Sequence, residues 1–473
     1  MIFPKTGCQL GCLYGKDDLM FDPLETLKKY ISFPSVSTDP AYGEGMQGAR
    51  DFLTQLFESM GLEVEVVKTP LHPIILAKRV GKPEWPHVVV YGHYDVQPAD
   101  PFELWDSDPF EPTVLGHHLY ARGSADNKGP FMVHVSAVAQ LLNENPDIPL
   151  RITFMVEGEE EMGSPSFAGF LDAYKDTALK ADMILLSDTS SPSSDQIAIT
   201  TGLRGLVGLE VFLKGPKMDL HSGVHGGAVY NPVQALVELC ASLHDEAGRV
   251  NIPGFYDAVV DPEDWEREEV NKVPTTEAEY KAFLGVKDFY TMKGFSPFEA
   301  VRFAPTLDFN GISGGYQGEG SKTIIPAQAS IKITMRLVPD QDPQTIAELL
   351  KKTLQERCPK GVEISFGKPE GGAAYRVLPP FKSGKEENSV LAKAFKGADR
   401  AIEDVFGKKP LYLAEGGSIP IIAKIKDVTG LDCLMLGLST VESNWHAPNE
   451  NFDLEMMDKA IQVSKQTLKA CCS

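Results

Sequence analysis

The sequence predicts an α/β fold built around a mostly parallel sheet, with a second α+β unit inserted into it. Short apolar runs, typical of strands buried on both faces, alternate along the chain with segments that carry apolar residues at helical spacing. This alternation is typical of a sheet covered by helices. At 473 residues the chain is also too long for one ordinary domain, so two domains are expected.

The strands of the predicted sheet are short. Residues 62–67 alternate between apolar and polar side chains, as a strand with one solvated face does. Four further runs are largely apolar without a regular alternation and are predicted to be buried strands: 87–91, 152–156, 183–186 and 431–438.

Helices are predicted between these strands and after them. In the segment 47–60 the apolar side chains fall on one face, and Gly61 ends the helix. A second helix opens at Gly129 and Pro130 and reaches residue 142, because proline is tolerated in the first helical turn. Two more helices are expected at 388–401 and 454–468.

The pattern between residues 206 and 372 differs from the rest. Its elements, in order, are a strand at 206–212, a helix at 232–243, strands at 306–309 and 329–337, a helix at 342–356 and a strand at 362–366. A long charged segment, 251–305, interrupts this order. The order βαββαβ is the split ferredoxin-like pattern.

The expected domain organisation is therefore an α/β domain formed by residues 1–205 and 373–473, with residues 206–372 as an inserted domain. Residues 1–19 are expected to be a poorly ordered extension, because Met20 begins a sensible alternative start.

The amino-acid composition limits the kinds of binding partner and the cellular compartment that are expected for the protein. The chain carries 66 Asp and Glu against 45 Lys and Arg, a net charge of −21, which argues against nucleic acid or an anionic membrane as partner. No stretch approaches the roughly 18 apolar residues of a membrane span, and the first residues lack a signal-peptide pattern. The 7 cysteines are scattered and form no C-x-x-C pair, which favours reduced thiols and a cytoplasmic protein.

The most informative stretch is a cluster of acids at the end of the strand 152–156. Its carboxylates are Glu157, Glu159, Glu160 and Glu161. Clustered like charges in a confined site repel and lose hydration, so a cation is expected beside them. Taken alone, the stretch also suits a solvated acidic turn.

The other buried strands also lead into residue types that bind metals. These residues are His93 and Asp95, Asp188 and, within a longer loop, His446. Ligands of an open α/β sheet bind beyond the carboxyl ends of its strands, so these side chains are expected to converge. Asp126 lies just before a predicted helix N-terminus, which favours an ionised carboxylate there.

These motifs occur in an order that is specific to one family. H-x-D, G-S-x-D-x-K-G, E-G-x-E-E-x-G-S, S-D and a C-terminal H-x-x-N-E run from His93 to Glu450. The chain resembles the di-zinc metallopeptidases of the aminoacylase and carboxypeptidase G family, and within it the branch of cytosolic non-specific dipeptidases and carnosinases. The resemblance implies a zinc-exopeptidase-like α/β/α catalytic domain, with the ferredoxin-like insertion as a lid and dimerisation domain.

The resemblance also implies two divalent metal ions, zinc in the family, although manganese and cobalt accept the same ligands. Asp126 would bridge both ions, His93 and Asp188 would complete the set of one, and Glu161 and His446 that of the other. Asp95 would orient the ring of His93. Glu160 would be the general base for a metal-bridged hydroxide that attacks the peptide bond.

Four further residues are assigned to the substrate by resemblance. His221 would stabilise the oxyanion from the partner's lid in a homodimer, and Arg336 would clamp the free carboxylate of the substrate. Thr323 and Ser418 would add hydrogen bonds. An ion pair is the alternative for Arg336, and a structural role is the alternative for His221.

The function expected is hydrolysis of dipeptides that have a free C-terminal carboxylate. An N-acyl amino acid amidohydrolase would use the same site and is an alternative. A metal-binding protein without activity on the same scaffold is another, although Glu160 argues against it.

Overall fold

The part of the chain that the structure describes, residues 21–383 and 389–473 of this computed structural model, contains a nine-stranded main sheet. Its strands lie in the spatial order Glu63–Val67, Ile74–Arg79, Arg151–Glu157, His87–His93, Met183–Leu186, Cys433–Leu436, Ala198–Leu203 and Tyr375–Arg376, and the ninth, Leu411–Glu415, also pairs with Ala198–Leu203. The expected extension at 1–19 lies outside the described residues.

The four strands predicted from largely apolar runs are neighbours in this sheet and run parallel. Nearly all of their side chains are buried, which explains why the runs show no alternation. Because they run parallel, their carboxyl ends meet at one edge of the sheet. The predicted α/β class is confirmed.

Helices cover both faces of the main sheet. Tyr91 and Gly92 are consecutive on one strand, so they face opposite sides. The ring of Tyr91 contacts Phe167, while a side chain at Gly92 would collide with Phe131, and these two phenylalanines lie on different helices. The helices around the sheet are Pro23–Ile31, Gly43–Ser59, Lys128–Glu144, Phe167–Tyr174, Val390–Phe406, Pro420–Thr429 and Leu454–Ala470.

The inserted segment forms a second sheet with an apolar core of its own. Its strands are all antiparallel and lie in the order Thr306–Gly314, Gln328–Leu337, Gly205–Lys214 and Glu363–Phe366, with Glu370–Gly372 as a further partner of Gly205–Lys214. Two helices, Pro232–Ser242 and Pro343–Arg357, pack against it. The element order is the predicted βαββαβ, although the strand expected at 306–309 extends to Gly314. The domain boundaries at 206 and 372 stay a prediction.

The charged segment 251–305 contains three short helices, Asp264–Val270, Glu277–Leu284 and Pro297–Phe303. Capping boxes begin all three, in which a Glu at the third helical position bonds back to the residue before the helix. The first and third helices pack against the strand Leu411–Glu415 of the main sheet. The segment therefore bridges the two sheets.

The remaining elements are small. The strands are Thr113–Leu115, His118–Tyr120, Ser190–Ser191, Leu220–His221, Ile324–Ile325, Ser439–Thr440 and Asn451–Asp453, and the short helices are Pro40–Tyr42, Phe102–Leu104, Glu160–Met162, Ser222–His225, Pro380–Ser383 and Val441–Ser443. Among residues 21–383 and 389–473, no helix has both the length and the apolar character needed to cross a membrane.

A buried histidine connects two helices to the end of a central strand. His134 lies on the helix Lys128–Glu144, and its Nδ1 is 2.9 Å from Oγ of Ser464 on the helix Leu454–Ala470. Its Nε2 is 2.9 Å from Oγ of Ser187. Burial lowers the pKa of His134 to about 3, so the ring is neutral at pH 7.

We expect His134 to weaken the fold in acid. Its pKa of about 3 in the folded state lies below the ordinary value of 6.5. The unfolded chain therefore takes up a proton that the folded chain does not, and stability is lost as the pH falls from 6.5 towards 3. In His134→Gln, the slope of unfolding free energy against pH should decrease by up to about 1.4 kcal/mol per pH unit. Urea unfolding with EDTA at pH 7, 6, 5 and 4 measures this slope.

The matched control is His225→Gln, at an exposed position. It should keep the slope of the wild type. Equal slopes for His134→Gln and the wild type would contradict the assignment of the acid sensitivity to the buried ring.

Candidate active site

The five side chains expected to bind the metals come together beside the ends of the central strands. Two groups of three have ligand atoms that all lie within 4.8 Å of one another. One group is His93, Asp126 and Asp188, and the other is Asp126, Glu161 and His446. These are the two sets that the resemblance implies, with Asp126 common to both.

Asp126 lies between the two groups and turns one oxygen towards each. Its Oδ1 is 3.4 Å from Nε2 of His93, and its Oδ2 is 2.9 Å from Nε2 of His446. Asp188 Oδ1 is 3.9 Å from the same nitrogen of His93, and Glu161 Oε2 is 3.6 Å from that of His446. This geometry suits a carboxylate that bridges two metal ions.

Asp95 contacts both His93 and the acid cluster. The Nδ1 of His93 is 3.0 Å from the carbonyl oxygen of Asp95 and 3.3 Å from its Oδ1. Asp95 Oδ2 accepts hydrogen bonds from Oγ of Ser37 at 2.7 Å and from the N–H of Glu161 at 3.1 Å. Because Nδ1 faces Asp95, Nε2 is the ring nitrogen that faces the ligand group.

Glu450 fixes the loop that carries Asp126. Its buried carboxylate accepts hydrogen bonds from the N–H groups of Gly123, Ala125 and Asp126 at 3.0, 2.8 and 2.9 Å. The same carboxylate pairs with Arg122 at 2.7 Å, and both side chains of the pair are buried. A negative charge surrounded by four donors in this way holds the loop in one conformation.

The loop is tight, and it also reaches Asp188. Gly123 has a φ of 85°, which favours glycine, and Gly129 has no room for a Cβ against a backbone carbonyl. Between them, Asn127 donates from Nδ2 to the carbonyl of Ser187 at 2.6 Å and to Oδ1 of Asp188 at 3.0 Å. One loop therefore positions carboxylates from two different parts of the chain.

The four acids of the cluster have different surroundings. Glu161 is the member that joins a ligand group. Glu160, in the same short helix, belongs to neither group but interacts electrostatically with three of their members. Glu157 accepts a hydrogen bond from the hydroxyl of Tyr91 at 2.8 Å. Glu159 accepts backbone N–H groups from two loops, so both of these acids are explained by contacts within the protein.

Burial and neighbouring carboxylates raise the pKa of the two glutamates of the site, Glu160 and Glu161. Burial raises the pKa of Glu160 well above its usual value, and although His93 opposes this, Asp188 adds to it. Burial likewise raises the pKa of Glu161, and Asp126 adds to it. Burial alone would lower the pKa of His93, yet the nearby carboxylates of Asp126, Asp188 and Asp95 hold it well above the usual range. Carboxylates are therefore crowded in a buried site, where a cation would offset their charge.

The residues fit two divalent metal ions. Nε2 of His93 and Oε1 of Glu161 are buried, and neither has a hydrogen-bond partner among the described residues. Imidazole nitrogens and carboxylate oxygens are the ligands that zinc, manganese and cobalt accept. Three ligand carboxylates also offset most of the charge that two divalent ions bring.

A second polar group joins the inserted sheet to the main sheet. Arg336 donates from a terminal nitrogen to Oγ of Ser418 at 2.8 Å. In the same loop, the carboxylate of Glu415 accepts from the N–H and the Oγ of Ser190 at 3.1 and 2.7 Å. Ser190 lies two residues beyond Asp188. The loop 415–418 thus connects Arg336 to the end of the main sheet that carries the ligands.

His221 and Thr323 lie close together in the inserted unit, where the N–H of Ser222 donates to the carbonyl of Thr323 at 3.0 Å. Both are exposed, and His221 belongs to neither ligand group. The strand containing His221 pairs with Ile324, and Nδ1 of His221 accepts the N–H of Gly223 at 3.0 Å. The four residues predicted to contact the substrate therefore form two separate pairs: His221 with Thr323, and Arg336 with Ser418.

An α/β/α sandwich with an inserted ferredoxin-like unit and two ligand groups at the strand ends defines a class of metal-dependent hydrolase. The chain matches peptidase family M20/M25/M40 over residues 89–470 and belongs to that family. It is accordingly a peptide-bond hydrolase, as the sequence predicts.

Similar proteins match over nearly the whole chain. The Cys-Gly metallodipeptidase dug1 of Schizosaccharomyces pombe is 30% identical, and the match covers 96% of both chains. The Beta-Ala-His dipeptidase of Rattus norvegicus is 30% identical over 96% of this chain and 94% of the relative. The crystal structure of the M20 family metallo-carboxypeptidase Sso-CP2 from Sulfolobus solfataricus has a TM-score of 0.82 and 32% identity, and covers 96% of this chain and 100% of that one.

Sequence reasoning gave no role to Glu450, Arg122, Asn127 or Glu415. Arg122, Asn127 and Glu450 lie within or beside the motifs that carry the resemblance, which was the available signal, whereas Glu415 lies outside them. Their contacts with the backbone or with distant side chains leave no periodic pattern, and so their roles required the fold.

We expect Glu450→Ala to destabilise both the fold and the metal site. Truncation leaves Arg122 buried without its partner and removes the acceptor for three N–H groups. Breaking a buried pair in this way costs about 3–5 kcal/mol. Urea unfolding in EDTA should show that loss, and elemental analysis after dialysis should show less bound metal.

Glu455→Ala serves as the control, because the side chain of Glu455 is 64% exposed. It should retain metal content and stability. Full metal occupancy in Glu450→Ala would contradict the role given to the loop.

Proposed function

We propose that this protein is a two-metal dipeptidase that cleaves dipeptides with a free C-terminal carboxylate. The observation that carries the proposal is the arrangement of two ligand groups around Asp126, with Glu160 beside them and outside both. The names of two relatives, a Cys-Gly metallodipeptidase and a Beta-Ala-His dipeptidase, support the choice of dipeptides.

His93 and Asp188 would hold one ion, Glu161 and His446 would hold the other, and Asp126 would belong to both ligand sets. When bound, the two ions supply Lewis acidity, which lowers the pKa of water and polarises the scissile carbonyl. Zinc is the metal proposed, and manganese or cobalt would accept the same ligands. Glu160 is the general base: it takes the proton of the attacking water and passes it to the leaving amine.

Arg336 and Ser418 recognise the carboxylate of the substrate. The guanidinium is half-buried and donates to Ser418, so it is already directed towards the loop that connects to the metal ligands. A planar guanidinium pairs with a carboxylate through two parallel hydrogen bonds. Thr323 adds a further hydrogen bond to the substrate.

The inserted domain is a lid that pairs with a second copy of the chain, and His221 stabilises the oxyanion across the homodimer. Two observations support this proposal. His221 is exposed and separate from the ligand groups of its own chain. The outer strand Thr306–Gly314 and its surroundings also expose apolar side chains such as Phe309, Ile312 and Val237, as an interface would require.

The proposed location is the cytoplasm. The five cysteines in the described part of the chain are all free, which fits a reducing compartment. Dipeptides are the proposed partners, and neither nucleic acid nor a membrane is expected.

Two other activities would use the same site. An N-acyl amino acid amidohydrolase shares the chemistry, and the solved relative Sso-CP2 is named a metallo-carboxypeptidase. Rates on Ala-Gly, acetyl-alanine and an N-blocked tripeptide separate the three. We expect Ala-Gly to be cleaved fastest, and a preference for either blocked substrate would reject the dipeptidase assignment.

We expect Glu160→Gln to lower kcat on Ala-Gly by about 10²–10⁴, because it removes the group that moves the proton. The content of bound metal should stay that of the wild type, since Glu160 belongs to neither ligand group. Steady-state kinetics and elemental analysis on the same preparation measure both quantities.

The control for this variant is Glu103→Gln, the same change at an exposed position. Its kcat should equal that of the wild type. Undiminished hydrolysis in Glu160→Gln would exclude Glu160 as the base.

We expect His221→Ala to lower kcat by about 10²–10³, the typical effect of losing one oxyanion donor, without loss of metal. When the His221→Ala and Glu160→Gln chains are co-expressed, or mixed and refolded together, half of the dimers contain one chain of each kind. Each such dimer has one complete site out of two, so the mixture should recover about a quarter of wild-type activity. A mixture that stays inactive would show that His221 does not act on the partner's site.

A further inference from the structure

A cavity of about 370 Å³ lies between the inserted sheet and the segment that bridges the two sheets. Its walls include the aromatic and apolar side chains of Tyr280, Phe289 and Met292, the small side chain of Ala300, and the guanidinium groups of Arg204 and Arg336. Its volume falls within the range of about 300–1,000 Å³ that is usual for pockets binding small molecules.

We propose that this cavity receives the side chain of the substrate's C-terminal residue and selects large apolar or aromatic side chains. The inference rests on the proposed dipeptidase function and names the specificity of the same site. It concerns the segment 251–305, for which the sequence indicated no role.

Arg336 connects the cavity to the site of cleavage. It lines the cavity and at the same time donates to Ser418. A carboxylate held by Arg336 and Ser418 belongs to the C-terminal residue, whose side chain branches from the neighbouring carbon. The side chain of that residue therefore starts beside the cavity wall.

The charges of the cavity favour an uncharged occupant. When the substrate carboxylate offsets Arg336, the remaining ionised side chains are Arg204 and Asp308, which balance each other. Arg204 is also bonded to the carbonyls of Gly416 and Ala304 at 2.9 and 3.3 Å, which fixes its position in the wall. A lysine or arginine side chain would place a second cation near Arg204 and would lose hydration on entering the cavity.

The apolar wall is rigid enough to discriminate by shape. The ring of Tyr280 stacks on Phe289, with centroids 5.5 Å apart, and on Phe298, with centroids 5.2 Å apart. His244, a polar residue of the lining, has a partner already, since its Nε2 lies 3.1 Å from the carbonyl of Leu307. A large apolar side chain would bury its surface against this wall, whereas glycine would leave the space unfilled.

The test uses the purified, metal-loaded protein and the dipeptides Ala-Gly, Ala-Leu, Ala-Phe and Ala-Lys. We expect kcat/KM for Ala-Phe to exceed the values for Ala-Gly and Ala-Lys by at least about tenfold, the discrimination that an apolar pocket supplies for a difference in side-chain size. Ala-Leu should lie between Ala-Phe and Ala-Gly.

Filling the cavity should reduce this preference. In Ala300→Phe, a large ring occupies the cavity, and we expect the ratio of kcat/KM for Ala-Phe over Ala-Gly to fall by about fivefold or more. The matched control is Ala278→Phe, the same change at an exposed position outside the cavity, which should keep the wild-type ratio. Met292→Trp fills the cavity from a second side, in case Ala300→Phe does not fold, as thermal melting would reveal.

The outcomes separate the two proposals. Hydrolysis of none of the dipeptides by the wild type would overturn the proposed function, and the specificity of the cavity with it. Hydrolysis of all four at similar rates, or a ratio that no filling variant changes, would overturn the role of the cavity and leave the dipeptidase assignment in place.

Discussion

The structure depends on holding several carboxylates together at one sheet edge. Asp126, Asp188, Glu160 and Glu161 converge with Asp95 beside two histidines, and burial raises the pKa of both glutamates. Such a cluster is unfavourable by itself, because each desolvated charge repels the others. Divalent cations offset that repulsion, and binding them stabilises the folded chain, in which alone the ligands are assembled.

The surrounding protein offsets part of the same cost without metal. The carboxylate of Glu450 lies near the site, and it is paired with Arg122 and accepts hydrogen bonds from three N–H groups. These bonds hold Asp126 where the two ligand groups meet. Asn127 and Asp95 act on Asp188 and His93 in a comparable way. The geometry of the site is therefore set by hydrogen bonds from residues that do not bind metal, as is usual for metal centres.

The buried parallel strands and the grouping of the candidate ligands could be predicted from the sequence, because both leave local signals: apolar runs, and short motifs at their ends. The strand Ala198–Leu203 was not predicted. Its buried Thr200 is satisfied by a hydrogen bond to Thr189 at 2.9 Å, and hydropathy cannot anticipate a polar side chain whose partner comes from tertiary structure. The helices within 251–305 were not predicted for a related reason. Their residues are mostly charged, and the few aromatic side chains that pack inward do not produce a clear helical pattern of apolar positions.

The two sheets divide the work of the proposed enzyme. Rigid strand ends of the main sheet hold the groups that perform the chemistry, so small displacements there would disturb the metals. Recognition of the substrate would be shared by the inserted sheet, the bridging segment and the loop 415–418, since they meet at Arg336. Substitutions in the bridging segment change the shape offered to a side chain but touch none of the metal ligands. Specificity in this architecture can therefore vary without loss of the catalytic centre.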